Sequence, residues 1–147
     1  MLRQIPKNSP DTYEQIREMV IDFAREQIRP QAEQLDRDIV QGLADVRNRT
    51  FMVYHPSFGY FARDYGLTML PIEEEGKEPT PAGLASVISQ ARENDIKVIF
   101  ASPQFNPQSA EVIAESIDGI VVFIDPLAEN YIENLRNLTQ KLIEAME

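Results

Sequence analysis

The stretch Thr50-Phe-Met-Val-Tyr-His55-Pro-Ser-Phe-Gly-Tyr-Phe-Ala-Arg-Asp-Tyr-Gly-Leu67 decides how the rest of the chain is arranged. Its first residues are β-branched or aromatic and contain no Pro or Gly, which predicts a strand over 50–55. Pro56 suits the first turn of a helix, and Gly66 is expected to end that helix. The only histidine of the chain, His55, is therefore predicted at the carboxyl end of a strand, where open α/β sheets bind ligands.

The chain before this stretch has the pattern of one long helix. Apolar residues recur close to a helical period across residues 10–47, which predicts a helix roughly 55 Å long. Ser9 is expected to cap its start, and Pro30 is expected to kink or break it. We therefore expect residues 1–48 to form a long connecting helix and residues 49–147 to form an α/β lobe.

Strands and helices are predicted to alternate after the opening stretch. The order α–β–α–β–α–β–α–β–α favours a parallel sheet with helices on both faces. The sequence therefore predicts an α/β fold with a four-stranded parallel sheet, preceded by a long helix. The later strands are expected at 67–72, 97–101 and 119–124, and the later helices from Pro81, Pro107 and about residue 129.

Composition excludes several classes of site and partner. The chain has 147 residues and a net charge of −10, which argues against nucleic acid or an anionic membrane surface as a partner. It contains no cysteine, so a metal would have to bind through nitrogen and oxygen ligands. The first ten residues hold no apolar run of signal-peptide length, and no window reaches the ~18–20 apolar residues of a membrane span.

The carboxyl ends of parallel strands meet at one edge of a sheet, which would collect His55, the acidic loop 73–78, Ser102 and Asp125. In one interpretation, His55 and Asp125 bind a metal such as zinc or manganese. In a second, Ser102, His55 and Asp125 form a nucleophile–base–orienter set, although Ser102-Pro103 lacks the glycines of a nucleophile elbow. In a third, all are loop residues with local roles, and spacing alone favours this interpretation.

Three segments taken together favour the metal-binding interpretation over the other two. They resemble the carboxyl-terminal lobe of the solute-binding proteins that deliver zinc or manganese to ABC transporters. The likeness runs from about Phe51 to the end of the chain, and the preceding helix resembles the one that joins the two lobes in that family. The segments are His55-Pro-Ser-Phe-Gly-Tyr-Phe-Ala-Arg-Asp-Tyr-Gly-Leu67, Pro103-Gln-Phe-Asn-Pro107 and Asp125-Pro-Leu-Ala-Glu-Asn-Tyr-Ile-Glu-Asn-Leu135.

The resemblance implies a sheet order of 2-1-3-4 and a metal site with four ligands between two lobes. In that family the carboxyl-terminal lobe supplies a histidine or glutamate after its first strand and an acidic residue after its fourth. Those positions match His55 and Asp125, which are therefore the expected metal ligands. A histidine at the first position favours zinc over manganese, because imidazole is the better zinc ligand. Ser102 stands where relatives often carry a glutamate.

The resemblance also implies a function, which is capture of a divalent metal and its delivery to the permease of an ABC transporter. On this basis we expect a periplasmic or extracellular location and no enzymatic activity. The chain would be one lobe without its amino-terminal partner lobe and without a signal peptide. We therefore expect weak zinc binding, or an empty site, in the isolated lobe. The alternatives are a stand-alone regulatory or protein-interaction module derived from that lobe and, third, a hydrolase using His55 and Ser102.

The apolar face of the long helix predicts self-association. Residues 10–47 form a helix too long for the lobe alone, and in the family the edge of the lobe is covered by its partner lobe. Exposed apolar surface of this kind tends to be buried by association. We therefore expect a homodimer, or a compact rearrangement of residues 10–47.

Overall fold

Helices and strands alternate along the part of the chain that the structure, a computed structural model, describes, namely residues 10–74, 76–104 and 106–146. The expected helix cap Ser9 lies outside these residues. The chain divides after Asp38 into two compact units, which are described separately. None of the helices in the described part is both long and apolar enough to cross a bilayer.

The amino-terminal helix continues through Pro30 instead of breaking there. It consists of α1 (Pro10–Phe23), a π-helical turn (Ala24–Ile28) and α2 (Arg29–Gly42). Proline has no N–H, and its ring clashes with the carbonyl four residues earlier, so a wider turn directly before it relieves the crowding. The helix therefore has a π-helical turn directly before Pro30, where a kink or break is expected, and it ends before the expected residue 47.

The second unit contains one parallel sheet of four strands in the order β2-β1-β3-β4, which confirms the expected fold class and strand order. Helices follow each strand. The strands are β1 (Thr50–Val53), β2 (Thr68–Pro71), β3 (Val98–Ala101) and β4 (Ile120–Phe123). The helices are α3 (Gly59–Asp64), α4 (Pro81–Glu93), α5 (Gln108–Ser116) and α6 (Tyr131–Met146).

The core lies on both faces of the two central strands, β1 and β3. Side chains alternate between the faces of a strand, so Met52 points to one face and Phe51 to the other. Met52 belongs to a buried cluster with residues of α4 and α5, whereas Phe51 meets the ring of Phe100 edge-on at 6.3 Å between centroids. Burial on both faces explains why residues 98–101 form a continuous apolar run.

The turn after β1 differs from the expectation. Helix α3 begins at Gly59 and not at Pro56, because the chain first makes a tight turn in which the Ser57 N–H donates to the His55 carbonyl at 2.8 Å. Gly66 ends the segment as expected, with φ of +64°, a conformation that glycine adopts without steric cost. The consequence is that His55 stands in a turn of its own, ahead of the helix.

Arg49 connects the end of α2 to the end of α3. Its guanidinium donates to the carbonyl oxygens of Leu43 at 2.9 Å and Tyr65 at 2.8 Å, and also to that of Gly66 at 3.1 Å. The last carbonyls of a helix have no partner within the helix, and a cation near them is also favoured by the helix dipole. Arg49 therefore holds the ends of two helices beside the first residue of β1.

Candidate metal site at the carboxyl edge of the sheet

The strand register places the expected site residues along one edge. Val53 pairs with Pro71 of β2 and with Phe100 of β3. Two residues further along the same register, His55 lies beside Glu73, which follows β2. On its other side His55 faces the segment that follows β3. Asp125 follows β4 at the same edge, two strand spacings from β1, or about 10 Å.

His55 contacts a carboxylate of the neighbouring loop. Its Nδ1 lies 2.6 Å from Oε1 of Glu73. The Glu73 side chain is only 7% exposed, whereas the imidazole is 39% exposed. The backbone supports this contact, because the Glu73 N–H donates to the Tyr54 carbonyl at 3.1 Å and so extends the ladder between β1 and β2. The histidine is thus held at its Nδ1 side and partly open to solvent.

Asp125 is held by the loop that follows β3. The side-chain amide of Gln104 donates to Oδ1 of Asp125 at 2.6 Å, and the backbone N–H of Leu127 donates to the same oxygen at 2.9 Å. In addition, the Asn134 amide of α6 donates to the Asp125 carbonyl at 2.7 Å. The carboxylate is therefore oriented by side-chain and backbone donors on both sides of the strand end.

Ser102 has a different environment from the other candidates. It lies directly after β3 and is only 4% exposed. A nucleophilic serine must reach its substrate, and a buried hydroxyl at this position does not. The structure therefore gives no support to the nucleophile–base–orienter interpretation.

The carboxyl edge of the sheet holds two candidate ligands and the residues that contact them, but it does not hold a complete metal site. Within the described ranges, no group of three or more His, Asp or Glu side chains is placed to hold one metal ion. His55 pairs with Glu73, and Asp125 pairs with Gln104. A metal shared by His55 and Asp125 stays a prediction.

Two of these residues, Glu73 and Gln104, received no individual role from sequence reasoning. Glu73 was one of several equivalent acids in the loop 73–78, and Gln104 was only part of a motif. A signal for Glu73 existed, since it follows β2 at the same register as His55 follows β1. No comparable local signal identified Gln104, because its contact with Asp125 joins two loops that lie 21 residues apart.

Tyr54 gives the edge an electrostatic feature of its own. Burial raises the pKa of its phenol above the ordinary 10.0, and the nearby carboxylates of Glu78 and Glu73 raise that pKa further. The neutral phenol is therefore favoured more in the folded than in the unfolded chain. This contribution to stability is complete below about pH 10 and is lost as the pH rises through the raised folded value.

We expect the variant Tyr54→Phe to lose less stability than the wild type when the pH is raised from about 9 to about 11.5. Urea unfolding at a series of pH values measures this. The matched control is Tyr131→Phe, which removes the same hydroxyl from a side chain that is 67% exposed and should behave as the wild type does. Equal alkaline losses in Tyr54→Phe and Tyr131→Phe would contradict the assignment.

Comparison with known proteins identifies a family whose model matches most of this chain. Residues 20–145 match the model of the family described as zinc-uptake complex component A, periplasmic. The chain is 31% identical over 126 residues to the high-affinity zinc uptake system protein ZnuA of Haemophilus influenzae, a match that covers 82% of this chain and 35% of that protein.

Solved structures share the fold. A crystal structure of ZnuA is 37% identical with a TM-score of 0.82 and covers 95% of this chain and 52% of its own. A ZnuA deletion mutant with zinc bound is also 37% identical, with a TM-score of 0.78 and the same coverage. The chain therefore spans about a third to a half of the length of these proteins.

Proposed function

Because the chain belongs to the zinc-uptake complex component A family, we propose that it binds a divalent cation for delivery to the permease of an ABC transporter. Zinc is the proposed cargo in preference to manganese, and the proposed location is the periplasm or the outer cell surface. Within this proposal, the chain acts as one lobe of a metal-binding protein and not as an enzyme.

One observation carries this proposal. An imidazole and a carboxylate, His55 and Asp125, follow two strands of one parallel sheet at the same edge, and both are partly open to solvent. Nitrogen and oxygen ligands of this kind suit zinc, and also manganese. The acidic loop beside His55 and the net charge of −10 favour the approach of a cation.

The number of ligands sets the expected affinity. A zinc site usually has four ligands, of which at least three come from the protein. This lobe offers His55 and Asp125, so a bound ion would keep most of its water. We therefore propose that the chain alone binds zinc no more tightly than about 1 μM, unless two copies pool their His55 and Asp125 pairs across a dimer.

Calorimetric titration with zinc, and then with manganese, tests this function. We expect weak zinc binding, weaker manganese binding, and a fall in zinc affinity on acidification, since a coordinating imidazole must be unprotonated. Absence of binding to either metal, even with a partner lobe supplied, would contradict the proposal and favour the regulatory-module alternative.

The same proposal includes a homodimer formed through the first helix. Large apolar side chains on α1 are exposed, including Tyr13, Val20 and Phe23 at 57–72%. Together with the exposed Ile16, these residues recur at intervals of three and four, which places them along one side of the helix. Burying such a stripe against a second copy would remove it from water.

We expect sedimentation analysis to find a dimer of the wild-type chain and a shift to monomer in Phe23→Lys. The control Glu18→Lys changes a residue on the other side of α1 and should leave the dimer intact. A wild type that stays monomeric at high protein concentration would refute the dimer. Equal effects of the two lysine substitutions would show that net charge, and not the apolar stripe, controls association.

A further inference from the structure

We propose that Glu73 is a positioning residue that selects the ring tautomer of His55 and thereby sets Nε2 as the nitrogen that binds the metal. This inference rests on the proposed function. It assigns to Glu73 a task that the next residue of the loop, Glu74, does not share.

The first step is the geometry of the contact. Beyond the last paired residues of β1 and β2 the two segments stay in contact, because the Ile72 N–H donates to the Val53 carbonyl at 2.9 Å and the Glu73 N–H to the Tyr54 carbonyl at 3.1 Å, in a register that places residue 73 beside residue 55. This register holds the Glu73 backbone beside His55. The side chains then meet at 2.6 Å between Nδ1 of His55 and Oε1 of Glu73, which is a hydrogen-bonding contact.

The second step concerns the proton. An ionised carboxylate only accepts hydrogen bonds, so the proton in this contact belongs to Nδ1 of His55. In a neutral imidazole the other nitrogen, Nε2, then carries the lone pair. A metal binds through that lone pair, so the Glu73 contact determines which side of the ring faces the ion. Carboxylates that hold a ligating histidine in this way typically raise metal affinity 10–100-fold.

The third step separates Glu73 from its neighbour. The Glu73 side chain is 7% exposed and pairs with His55, whereas Glu74 is an exposed residue whose backbone forms a small bridge with Lys77. An exposed carboxylate is well solvated and screened, so its removal should change little. Glu74 therefore provides a matched control, with the same side chain at the next position of the same loop.

The single histidine makes the test direct. Long-range proton–nitrogen correlation spectra of the ¹⁵N-labelled full chain, recorded without metal at a pH above which the ring signals no longer change, report which ring nitrogen carries the proton. The wild type should show the proton on Nδ1. Glu73→Leu should move it largely to Nε2, whereas Glu74→Leu should leave it on Nδ1.

Zinc titration of the same three proteins completes the experiment. We expect Glu73→Leu to lose zinc affinity by about 10–100-fold and Glu74→Leu to change it by less than about twofold. A proton on Nε2 in the wild type would overturn the inference without any variant, and so would unchanged zinc affinity in a folded Glu73→Leu protein. Absence of zinc binding in a wild type whose ring carries the proton on Nδ1, even with a partner lobe supplied, would instead overturn the proposed function.

Discussion

Replacing His55 by alanine is expected to reduce zinc binding by this chain below detection, a loss of more than about 100-fold. The chain has no other histidine and no cysteine, so His55 is its only imidazole ligand and no thiolate can replace it. Without it, a zinc ion at the edge of the sheet would meet carboxylates and water alone. Calorimetric titration of the wild type and of His55→Ala measures the change.

Asp125→Ala should weaken zinc binding by more than the removal of any single glutamate from the run 73–75. Asp125 is expected to contact the ion itself, whereas Glu73 acts through the ring of His55. Removing a ligand deletes a bond to the metal, whereas removing a residue that orients a ligand only weakens such a bond.

Stability provides the control for both substitutions. His55 and Asp125 lie in turns at the edge of the sheet and outside the buried core, so each alanine variant should stay folded, with a free energy of unfolding lowered by about 1–3 kcal/mol through loss of the contacts to Glu73 and Gln104. Zinc binding that is tight in a monomer, or that does not depend on His55, would show that the metal site lies elsewhere in the chain.

Gly119→Ala is expected to destabilise the fold by about 3 kcal/mol or more. A Cβ atom at this position would overlap the carbonyl oxygen of Lys97 and lie 3.0 Å from its carbonyl carbon. That same oxygen accepts the Ile120 N–H at 2.9 Å, the first hydrogen bond between β3 and β4. Relief of the overlap therefore requires the start of β4 to move away from β3.

Gly59→Ala is the matched control for this substitution. A Cβ atom at Gly59 would meet only the Met69 methyl group, at an ordinary distance of 3.8 Å. Gly59 also begins α3, where alanine is the better helix former, so the variant should be as stable as the wild type or slightly more stable. Urea unfolding measures both variants, and a Gly119→Ala protein within about 1 kcal/mol of the wild type would contradict the steric argument.

Local sequence patterns were sufficient to predict most of the elements. The alternating helix and strand signals predicted four strands, and the start of α4 at Pro81 followed from residue types alone. These signals work because they arise from neighbours in sequence, namely capping, helical periodicity and β-branched runs. The order of the strands came from the resemblance, since no local pattern specifies which strands are neighbours.

The exact boundaries of the helices are not predicted well by local sequence patterns. Pro56 has the right chemistry for a first helical turn, yet the turn that closes on the His55 carbonyl comes first and delays α3 to Gly59. Pro30 has the right chemistry for a helix break, yet a π-helical turn at Ala24–Ile28 absorbs its bulk. In both places the local sequence is compatible with more than one backbone conformation.

The sequence by itself determined that one histidine follows a strand, that any metal site uses nitrogen and oxygen ligands, and that the fold alternates helix and strand. Only the tertiary structure decided which acid pairs with His55, that Ser102 is buried, and that Gln104 orients Asp125. The physical reason is that these contacts depend on the register between strands distant in sequence. That register results from burying both faces of the central strands at once, and no window of neighbouring residues contains it.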